Sequence, residues 1–440
     1  MPIIYSQGVY VIDAVYVAQY QEPLVQEVRQ IEQKGLLHSK GETRYEVVKE
    51  LPKEAQSFDT MFDYADFYGK VRLGYIDSRS DLAAGGNERK QALSLGGELG
   101  FKTAQYEGVH LQGAVYVSQD VHALNPANEK KNPEFFGENL ESYAYVGEMG
   151  LHYQNEYFKG AFGRIRIDTP YADSDDIRMS ANSFEGACVF IEYLPNLSSQ
   201  FLYLTRWAGY DSQDLEANLY QDKFKKLVDE ESFGMASGSI TYEYAPDSSV
   251  RLWVNYIDRM SIITYVEASG IEYFGDAWIH FDYGVQYSKI DELEDSNVEG
   301  SVYGAMGIVH LKQFFFGVAA NLVYVDGDNY VTDGFGGGPY YTSLNEATLA
   351  WMSQLHPGED IRSYKVGIGY DFSETPLEGL VAELVYGELR DNHNKAYEED
   401  LILTYDFAER WHLEAILTHF EPTRLNQGFD RGIVRLDYNF

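Results

Sequence analysis

The chain ends on the stretch Gly432-Ile433-Val434-Arg435-Leu436-Asp437-Tyr438-Asn439-Phe440. Apolar side chains occupy every second position from Val434 to Phe440, and charged or amide side chains fill the positions between them. Successive side chains of a β-strand point to opposite faces of the sheet. The stretch therefore predicts a strand with one apolar face and one polar face.

The same period of two recurs along the chain from about Asp66 onward. Residues 66–75, 277–287 and 363–372 alternate in the same way, in segments of about ten residues with aromatic side chains near their ends. We count about eighteen such segments, an even number within the range of outer-membrane barrels. A soluble β-sandwich gives shorter segments, so the pattern favours a membrane barrel.

The connections between these segments alternate in length. Short connections, such as 154–157 and 195–199, separate long ones at 121–141, 168–183 and 327–360. Tight turns on one rim and long loops on the other are typical of a membrane meander. The sequence thus predicts an all-β fold, a transmembrane antiparallel β-barrel of about 18 strands. The terminal Phe440 is also typical of proteins that the outer-membrane assembly machinery inserts.

Composition excludes several other classes of protein. The 440 residues include 69 acidic and 34 basic side chains, a net charge of −35, which argues against nucleic acid as a partner. Cys188 is the single cysteine, so an internal disulfide framework is excluded. The longest uncharged apolar stretch, 313–325, is shorter than the roughly 20 residues that a membrane-spanning helix needs.

The N-terminal residues 1–62 differ from the rest and are predicted to form an extension that precedes the barrel, 63–440. Leu24, Val28 and Ile31 recur at helical spacing, which suggests a short amphipathic helix at the periplasmic mouth or a plug of the lumen. The alternative is a mobile extension. The apolar stretch 9–17 makes a poor signal peptide, so we expect that a signal was removed or that the start is not native.

The polar faces of the predicted strands carry both bases and acids. Arg or Lys on the lipid face would cost about 2–4 kcal/mol at the bilayer midplane, so we assign these faces to a water-filled lumen. The bases could instead only neutralise neighbouring acids, and the wall alone leaves the sign of selectivity open. The predicted ladder of pore-lining bases is Lys70, Arg72, Arg164, Arg166, Arg251, Lys365, Arg431 and Arg435.

No catalytic motif appears in the sequence, which therefore indicates neither an enzyme nor a resident metal or cofactor. The ten histidines are scattered, and we interpret those on the polar strand faces as hydrogen-bonded pore liners. This set is His110, His152, His280, His310 and His412.

Two long connections carry a family resemblance. Residues 168–183 contain a Thr-Pro segment, then an acidic stretch with Arg178, and enter the next strand at Gly186-Ala187. Residues 336–343 read Gly-Gly-Gly-Pro-Tyr-Tyr-Thr-Ser. These segments resemble the third and seventh external loops of the OprD family of substrate-selective porins, over roughly residues 66–440. Met179-Ser180-Ala181 departs from the family's usual Leu-Pro ending, and residues 1–62 fall outside the resemblance.

The resemblance implies that the third external loop folds into the lumen and constricts it, with the seventh as a second constriction element. It implies a passive channel for small, often carboxylate-bearing solutes, which pass the basic ladder opposite Asp173, Asp175 and Asp176. The remaining constriction residues are expected to be Arg178, Pro339 and Tyr340.

The predicted function is therefore a porin in the outer membrane of a Gram-negative bacterium, monomeric or trimeric, surrounded by lipid and lipopolysaccharide. A structural or adhesive barrel with a blocked lumen and surface-binding external loops is the alternative. A soluble β-protein is the third reading.

Overall fold

A computed structural model describes residues 54–82, 85–137, 139–214, 219–274, 279–423 and 428–440, together with four short strands before residue 50. Side chains at 213–214 and 219–223 are not described. Eighteen antiparallel strands form one closed barrel in chain order. They are β1 (Asp66–Asp81), β2 (Asn87–Lys102), β3 (Val109–Asp120), β4 (Tyr143–Gln154), β5 (Phe158–Ile165), β6 (Ser183–Leu194), β7 (Leu197–Asp214), β8 (Met235–Ala245), β9 (Ser248–Ile257), β10 (Ser261–Phe274), β11 (Ile279–Glu292), β12 (Gly300–Leu311), β13 (Phe314–Tyr324), β14 (Ile361–Asp371), β15 (Leu380–Arg390), β16 (Lys395–Phe407), β17 (Trp411–Pro422) and β18 (Phe429–Asn439).

The barrel closes between its last and first strands. β18 pairs with β1 so that Val434 lies opposite Tyr75 and Leu436 opposite Leu73. The apolar side chains of these strands point outward, and Leu73 is 41% exposed, whereas Arg72 beside it is buried. An exposed apolar surface around a closed sheet is what contact with lipid requires. The predicted 18-stranded transmembrane barrel is confirmed.

The predicted alternation of short and long connections holds along most of the chain. The two shortest connections on the long-loop rim lie at residues 258–260 and 391–394. In the second of these, the Asp391 side chain accepts hydrogen bonds from the backbone N–H groups of His393 and Asn394, which closes a tight turn. Local turn chemistry therefore closes the connection at 391–394.

Three long connections between strands fold into the barrel. We name them L2 (residues 121–142), L3 (166–182) and L7 (325–360). L3 and L7 touch through a β-bridge between Ala172 and Phe335. Their regular elements are 3₁₀ turns at Asn128–Lys130 and Pro133–Phe135, the two-residue strands Asp168–Thr169 and Ala172–Asp173, and helix α1 at Leu349–Leu355. A further strand, Leu219–Lys226, pairs with the end of β7.

The N-terminal segment is tied to the periplasmic rim over its last residues. The Ala55 N–H donates to the Gln105 carbonyl, and the 3₁₀ turn Asp59–Met61 buries Met61 against Ala55 and Ala104. Earlier residues include two hairpins, formed by Ile3–Ser6 with Val9–Ile12 and by Glu27–Glu32 with Thr43–Val48.

The amphipathic helix expected around Leu24 to Ile31 is wrong where the structure describes the backbone, because Glu27–Glu32 is a strand. The reason is β propensity, since Val28 and Ile31 pair with a strand that contains two further valines. Leu24 lies outside the described residues, and the domain boundary at residue 62 stays a prediction. No helix in the described part of the chain is long and apolar enough to cross a membrane.

Candidate constriction site

Ten charged side chains meet on the inner surface of strands β1, β17 and β18, and we call this group the charged wall. Five are bases and five are carboxylates, so the group is electrically balanced. Its members come from three barrel strands and from L2, L3 and L7. They are Lys70, Arg72, Arg178, Arg431, Arg435, Glu134, Asp176, Glu346, Glu414 and Asp437.

Arg72 joins the barrel wall to L3. Its guanidinium donates to Asp437 at 2.6 and 2.7 Å and to Asp176 at 2.6 and 3.0 Å. It also donates to the Arg178 carbonyl at 2.8 Å. Lys70 reaches Asp176 at 2.5 Å. Because the Arg72 side chain is 4% exposed, these charge-assisted bonds are shielded from water and hold L3 firmly.

Arg178 joins L3 to L2 and L7. Its Nε lies 2.6 Å from Glu134, and one terminal nitrogen lies 3.2 Å from Glu346. Its guanidinium stacks on the Tyr210 ring, with 4.1 Å between the guanidinium carbon and the ring centroid. Arg431 of β18 binds the same two carboxylates, at 3.0 Å and 2.5 Å. Three inward loops are therefore tied to one strand.

The charged wall keeps its loop carboxylates ionised. Burial raises the pKa of Glu134, but the charges of Arg431 and Arg178 outweigh burial and lower the pKa to about 2. Burial also acts on Asp176, and the charges of Arg72, Lys70 and Arg435 hold its pKa well below the ordinary value. Both groups are thus anions at any physiological pH.

A small apolar cluster seats L3 beside the charged wall. Met179 is fully buried with Phe135 of L2 and with Ile76 and Ile433 of the barrel. Gly74 of β1 allows this approach, since a Cβ there would lie 2.5 Å from the Met179 sulfur. Met179, which is part of the departure from the family's Leu-Pro ending, thus places its flexible thioether in the space beside Gly74.

The opposite side of L3 packs against aromatic and aliphatic residues. We call this group the aromatic core, formed by Tyr171, Trp207, Tyr265, Phe335 and Tyr340, all buried. The Tyr171 ring packs edge-to-face on Tyr265 and on Tyr340, with centroids 6.0 and 6.3 Å apart. The Tyr171 hydroxyl lies 2.6 Å from the Ser288 hydroxyl, and the Tyr340 hydroxyl donates to the Thr332 carbonyl at 3.1 Å. This part of the lumen is closely packed.

The predicted basic ladder is only partly brought together. Lys70, Arg72, Arg431 and Arg435 belong to the charged wall. Arg435 binds Glu414 at 2.5 Å and also donates to the Asp176 carbonyl. The remaining bases lie elsewhere around the barrel.

Arg166 follows β5 and lies inside the barrel, 3.7 Å from each of Glu98 and Glu148. Arg251 lies opposite Glu267 in the sheet. The Lys365 ammonium donates to the Ser343 carbonyl of L7 at 3.2 Å.

The predicted inward orientation of Arg164 is wrong. It lies opposite Met149 and Glu185 in the sheet, and Met149 is 49% exposed on the outer face. The strand ends at the inward-facing Ile165, after which the chain turns into L3, so alternation does not extend to Arg166. The Arg164 side chain therefore begins on the outer face, where it pairs with Glu185 at 2.9 Å.

The three acidic residues predicted for L3 do not lie together either. Asp176 faces the charged wall, whereas Asp173 and Asp175 are buried inside L3. Asp173 lies against Gly336 of L7, whose φ of 114° and close approach to the Asp173 backbone exclude a side chain. Pro339 and Tyr340 are buried in L7, where Tyr340 belongs to the aromatic core.

Sequence analysis missed four residues of the site. Glu134 and Glu346 lie on long loops whose course no local pattern indicates, and Tyr210 and Glu414 lie on strands. The alternation of β17 predicts an inward Glu414, since it is two residues from the inward His412. The two loop glutamates carried no such signal.

The fold and its apolar outer surface define a transmembrane β-barrel of 18 strands with loops folded into the lumen. The predicted location, the outer membrane of a Gram-negative bacterium, follows from this fold, because closed barrels with an apolar outer band are built for that membrane.

Solved structures of the same fold come from Pseudomonas and Acinetobacter. OccK9 (OpdG) of Pseudomonas aeruginosa is 14% identical, with a TM-score of 0.73 over 86% of this chain and 99% of that chain. A BenF-like porin from Pseudomonas fluorescens Pf-5 is 12% identical, with a TM-score of 0.71 over 86% and 99%. OccAB4 of Acinetobacter baumannii is 16% identical, with a TM-score of 0.69 over 86% and 98%.

No family model and no curated protein matches the chain. At these identities the likeness to the solved structures is one of fold. It confirms the resemblance to OprD-like porins that residues 168–183 and 336–343 indicated.

Proposed function

We propose that the protein is an outer-membrane porin through which small hydrophilic solutes diffuse passively. The observation that carries this proposal is the position of L3, which is tied to the charged wall on one side and to the aromatic core on the other. A loop fixed across a barrel narrows the lumen and lines it with fixed charges, and both features set the selectivity of a pore.

We further propose that the preferred solutes carry a carboxylate. The guanidinium groups of Arg72, Arg431 and Arg435 have the planar geometry that binds carboxylates through two parallel hydrogen bonds. Each already has a carboxylate partner and little exposure. A passing solute would therefore be attracted by the charge of these groups without displacing that partner, and it would bind weakly. Weak binding suits transit, since a conducting site must release its solute. OpdK, a neighbour of the same fold at 15% identity, has been solved with vanillate, an aromatic carboxylate.

The first test is electrical. The purified protein added to a planar bilayer should give discrete conductance steps, and an electrically silent protein would contradict the porin and favour the blocked barrel. Vanillate should reduce the ionic current, whereas vanillyl alcohol, its uncharged counterpart, should leave the current nearly unchanged. Equal effects of the two compounds would contradict the carboxylate preference while leaving the porin intact.

The second test addresses the basic ladder. Replacing both Arg72 and Arg435 by Gln removes two positive charges from the lumen, so the reversal potential in a salt gradient should shift toward greater cation permeability. Arg89→Gln is the matched control, because Arg89 binds Asp77 on the exposed surface. An unchanged reversal potential in the double variant would remove the ladder from the proposal.

Contacts with lipopolysaccharide and a trimeric assembly remain proposals of the same kind. Size-exclusion chromatography with light scattering in detergent would measure the assembly directly. We propose no catalytic group, since diffusion through a pore requires none.

A further inference from the structure

Two histidines and one aspartate converge on the inner face of the barrel, away from the charged wall and the aromatic core. His280 of β11 and His310 of β12 lie directly opposite each other in the sheet, and Asp282 follows His280 by two residues. All three lie near the periplasmic ends of their strands, close to the turn between β12 and β13. The alternation of apolar and polar residues predicted that both histidines lie on the inner face. The strand register that makes them neighbours is known only from the structure.

The ligand atoms of this cluster lie close together. His310 Nε2 lies 3.2 Å from Asp282 Oδ2, and His280 Nε2 lies 3.9 Å from Asp282 Oδ1. The two imidazole rings stack with centroids 4.0 Å apart and an interplanar angle of 13°. One ligand atom from each of the three side chains lies within 4.8 Å of the other two.

The carboxylate of this cluster is buried without a permanent positive partner in the described ion pairs. Asp282 is 2% exposed, and its ion-pair contacts there are the two histidines. Its Oδ1 is buried and receives no hydrogen bond from the residues that the structure describes. Buried carboxylates are normally paired with a charge or bound to a metal ion, because an isolated buried charge is costly.

The donor set indicates the class of ion. Two imidazole nitrogens and one carboxylate oxygen suit Zn²⁺ and the neighbouring late first-row divalent cations. Ligands about 2.0–2.2 Å from one ion stand about 3.2–3.6 Å apart in a tetrahedral site, so small side-chain rotations would complete this one. Three protein ligands leave a further coordination position open, and His280 keeps 20% of its side chain exposed for it.

Neighbouring rings hold the histidines in place. Tyr273 packs on His280 and Phe315 on His310, each with centroids 5.6 Å apart. Phe315 fits because Gly369 lies beneath it, where a Cβ would fall 1.9 Å from the ring. A rigid sheet and packed flanking rings are what a preorganised metal site needs.

We propose that His280, Asp282 and His310 bind a divalent transition-metal cation, with Zn²⁺ as the representative ion, at the periplasmic end of the barrel interior. The bound ion adds two positive charges to the inner surface and keeps one coordination position toward the lumen. The site stands independently of the solute that the barrel passes.

A second pair of histidines provides a control within the same chain. His110 and His152 also lie opposite each other on adjacent strands, and their rings stack 4.9 Å apart at 14°. Among the described residues, no other three histidine, cysteine or carboxylate side chains converge as His280, Asp282 and His310 do.

The test is calorimetric titration of the full-length protein in detergent with Zn²⁺. The wild-type protein should bind one ion per chain in a saturable step. His280→Ala, Asp282→Asn and His310→Ala should each weaken that step by at least about tenfold, since even changes around a metal site cost about 10–100-fold in affinity. His110→Ala and His152→Ala should bind as the wild type does. Absence of a saturable step, or equal weakening by the two sets of variants, would overturn the proposal.

A measurement on the unmodified protein covers the case in which a variant does not fold. Diethyl pyrocarbonate modifies accessible histidines, and mass spectrometry locates the modified positions. Zn²⁺ should protect His280 and His310 but leave the exposed His122 and His393 as reactive as before. Equal reactivity of His280 and His310 with and without Zn²⁺ would contradict the site.

Discussion

The charged wall and the aromatic core hold the same loop by different physics. On the wall side, L3 contributes Asp176 and Arg178, each bound through several short charge-assisted bonds with little exposure. On the core side, it contributes Tyr171, which is held by packing and two hydroxyl contacts. Buried ion pairs demand particular partners in particular positions, whereas apolar packing supplies area and tolerates change. The wall therefore sets the orientation of the loop, and the core contributes much of its stability.

The largest effect is expected from breaking the wall at its centre. Arg178→Ala leaves Glu134 and Glu346 buried with one fewer cation, and breaking a buried ion pair from one side costs about 3–5 kcal/mol. The free energy of unfolding, measured by urea titration in lipid vesicles, should fall by that order. Arg89→Ala removes a bidentate but exposed pair with Asp77 and should lower the free energy of unfolding much less, because water screens an exposed ion pair. Similar losses in the two variants would mean that the wall is no more than a surface network.

A smaller effect is expected from the core. Tyr171→Phe keeps the ring and its packing but removes the hydroxyl that contacts Ser288 and Tyr340, which should cost about 1 kcal/mol. Tyr203→Phe is the control, because the Tyr203 hydroxyl donates to a carbonyl from an exposed position. A loss in Tyr171→Phe as large as that in Arg178→Ala would contradict the division of roles between core and wall.

The smallest effect on stability is expected from a change of pH within the ordinary range. Different contacts of L3 are lost at low pH and at high pH. The lowered pKa values of Glu134 and Asp176 contribute stability that is present above their ordinary pKa values. This stability is lost as the pH falls through the lowered pKa values, which is about 2 for Glu134. Burial raises the pKa values of Tyr171 and Tyr340, and the associated stability is present below about pH 10 and is lost at higher pH.

Channel conductance should therefore be flat between about pH 5 and 9. Acid should free the wall side of L3, and alkali should free the core side. Fluorescence of Trp207, which lies in the aromatic core, distinguishes the release of the core side from the release of the wall side. It should change more readily in the alkaline titration than in the acid titration. A conductance change centred near neutral pH would contradict both assignments.

Alternation along the strands could be predicted because it reflects a single physical contrast, lipid outside and polar groups inside. It placed Arg72, Arg431 and Arg435 on the inner face, where the structure has them. The order of the loops along the chain identified L3 and L7 as the loops that fold inward. It failed at Arg164, where the strand ends one residue later and the chain turns inward. Glu134 and Glu346 could not be predicted, because their positions depend on how long loops pack against each other. The pairing of His280 with His310 needed the strand register, which the loop between β11 and β12 leaves open.

The most direct measurement of the central claim compares single-channel conductance before and after removal of the loop that spans the lumen. Residues 168–179 are replaced by a Gly-Ser segment of equal length, which removes the side chains that reach both the charged wall and the aromatic core. If L3 is fixed across the lumen and limits the pore, the variant should form channels of clearly higher conductance than the wild type. Equal conductance in the two proteins would show that the narrowest part of the pore lies elsewhere.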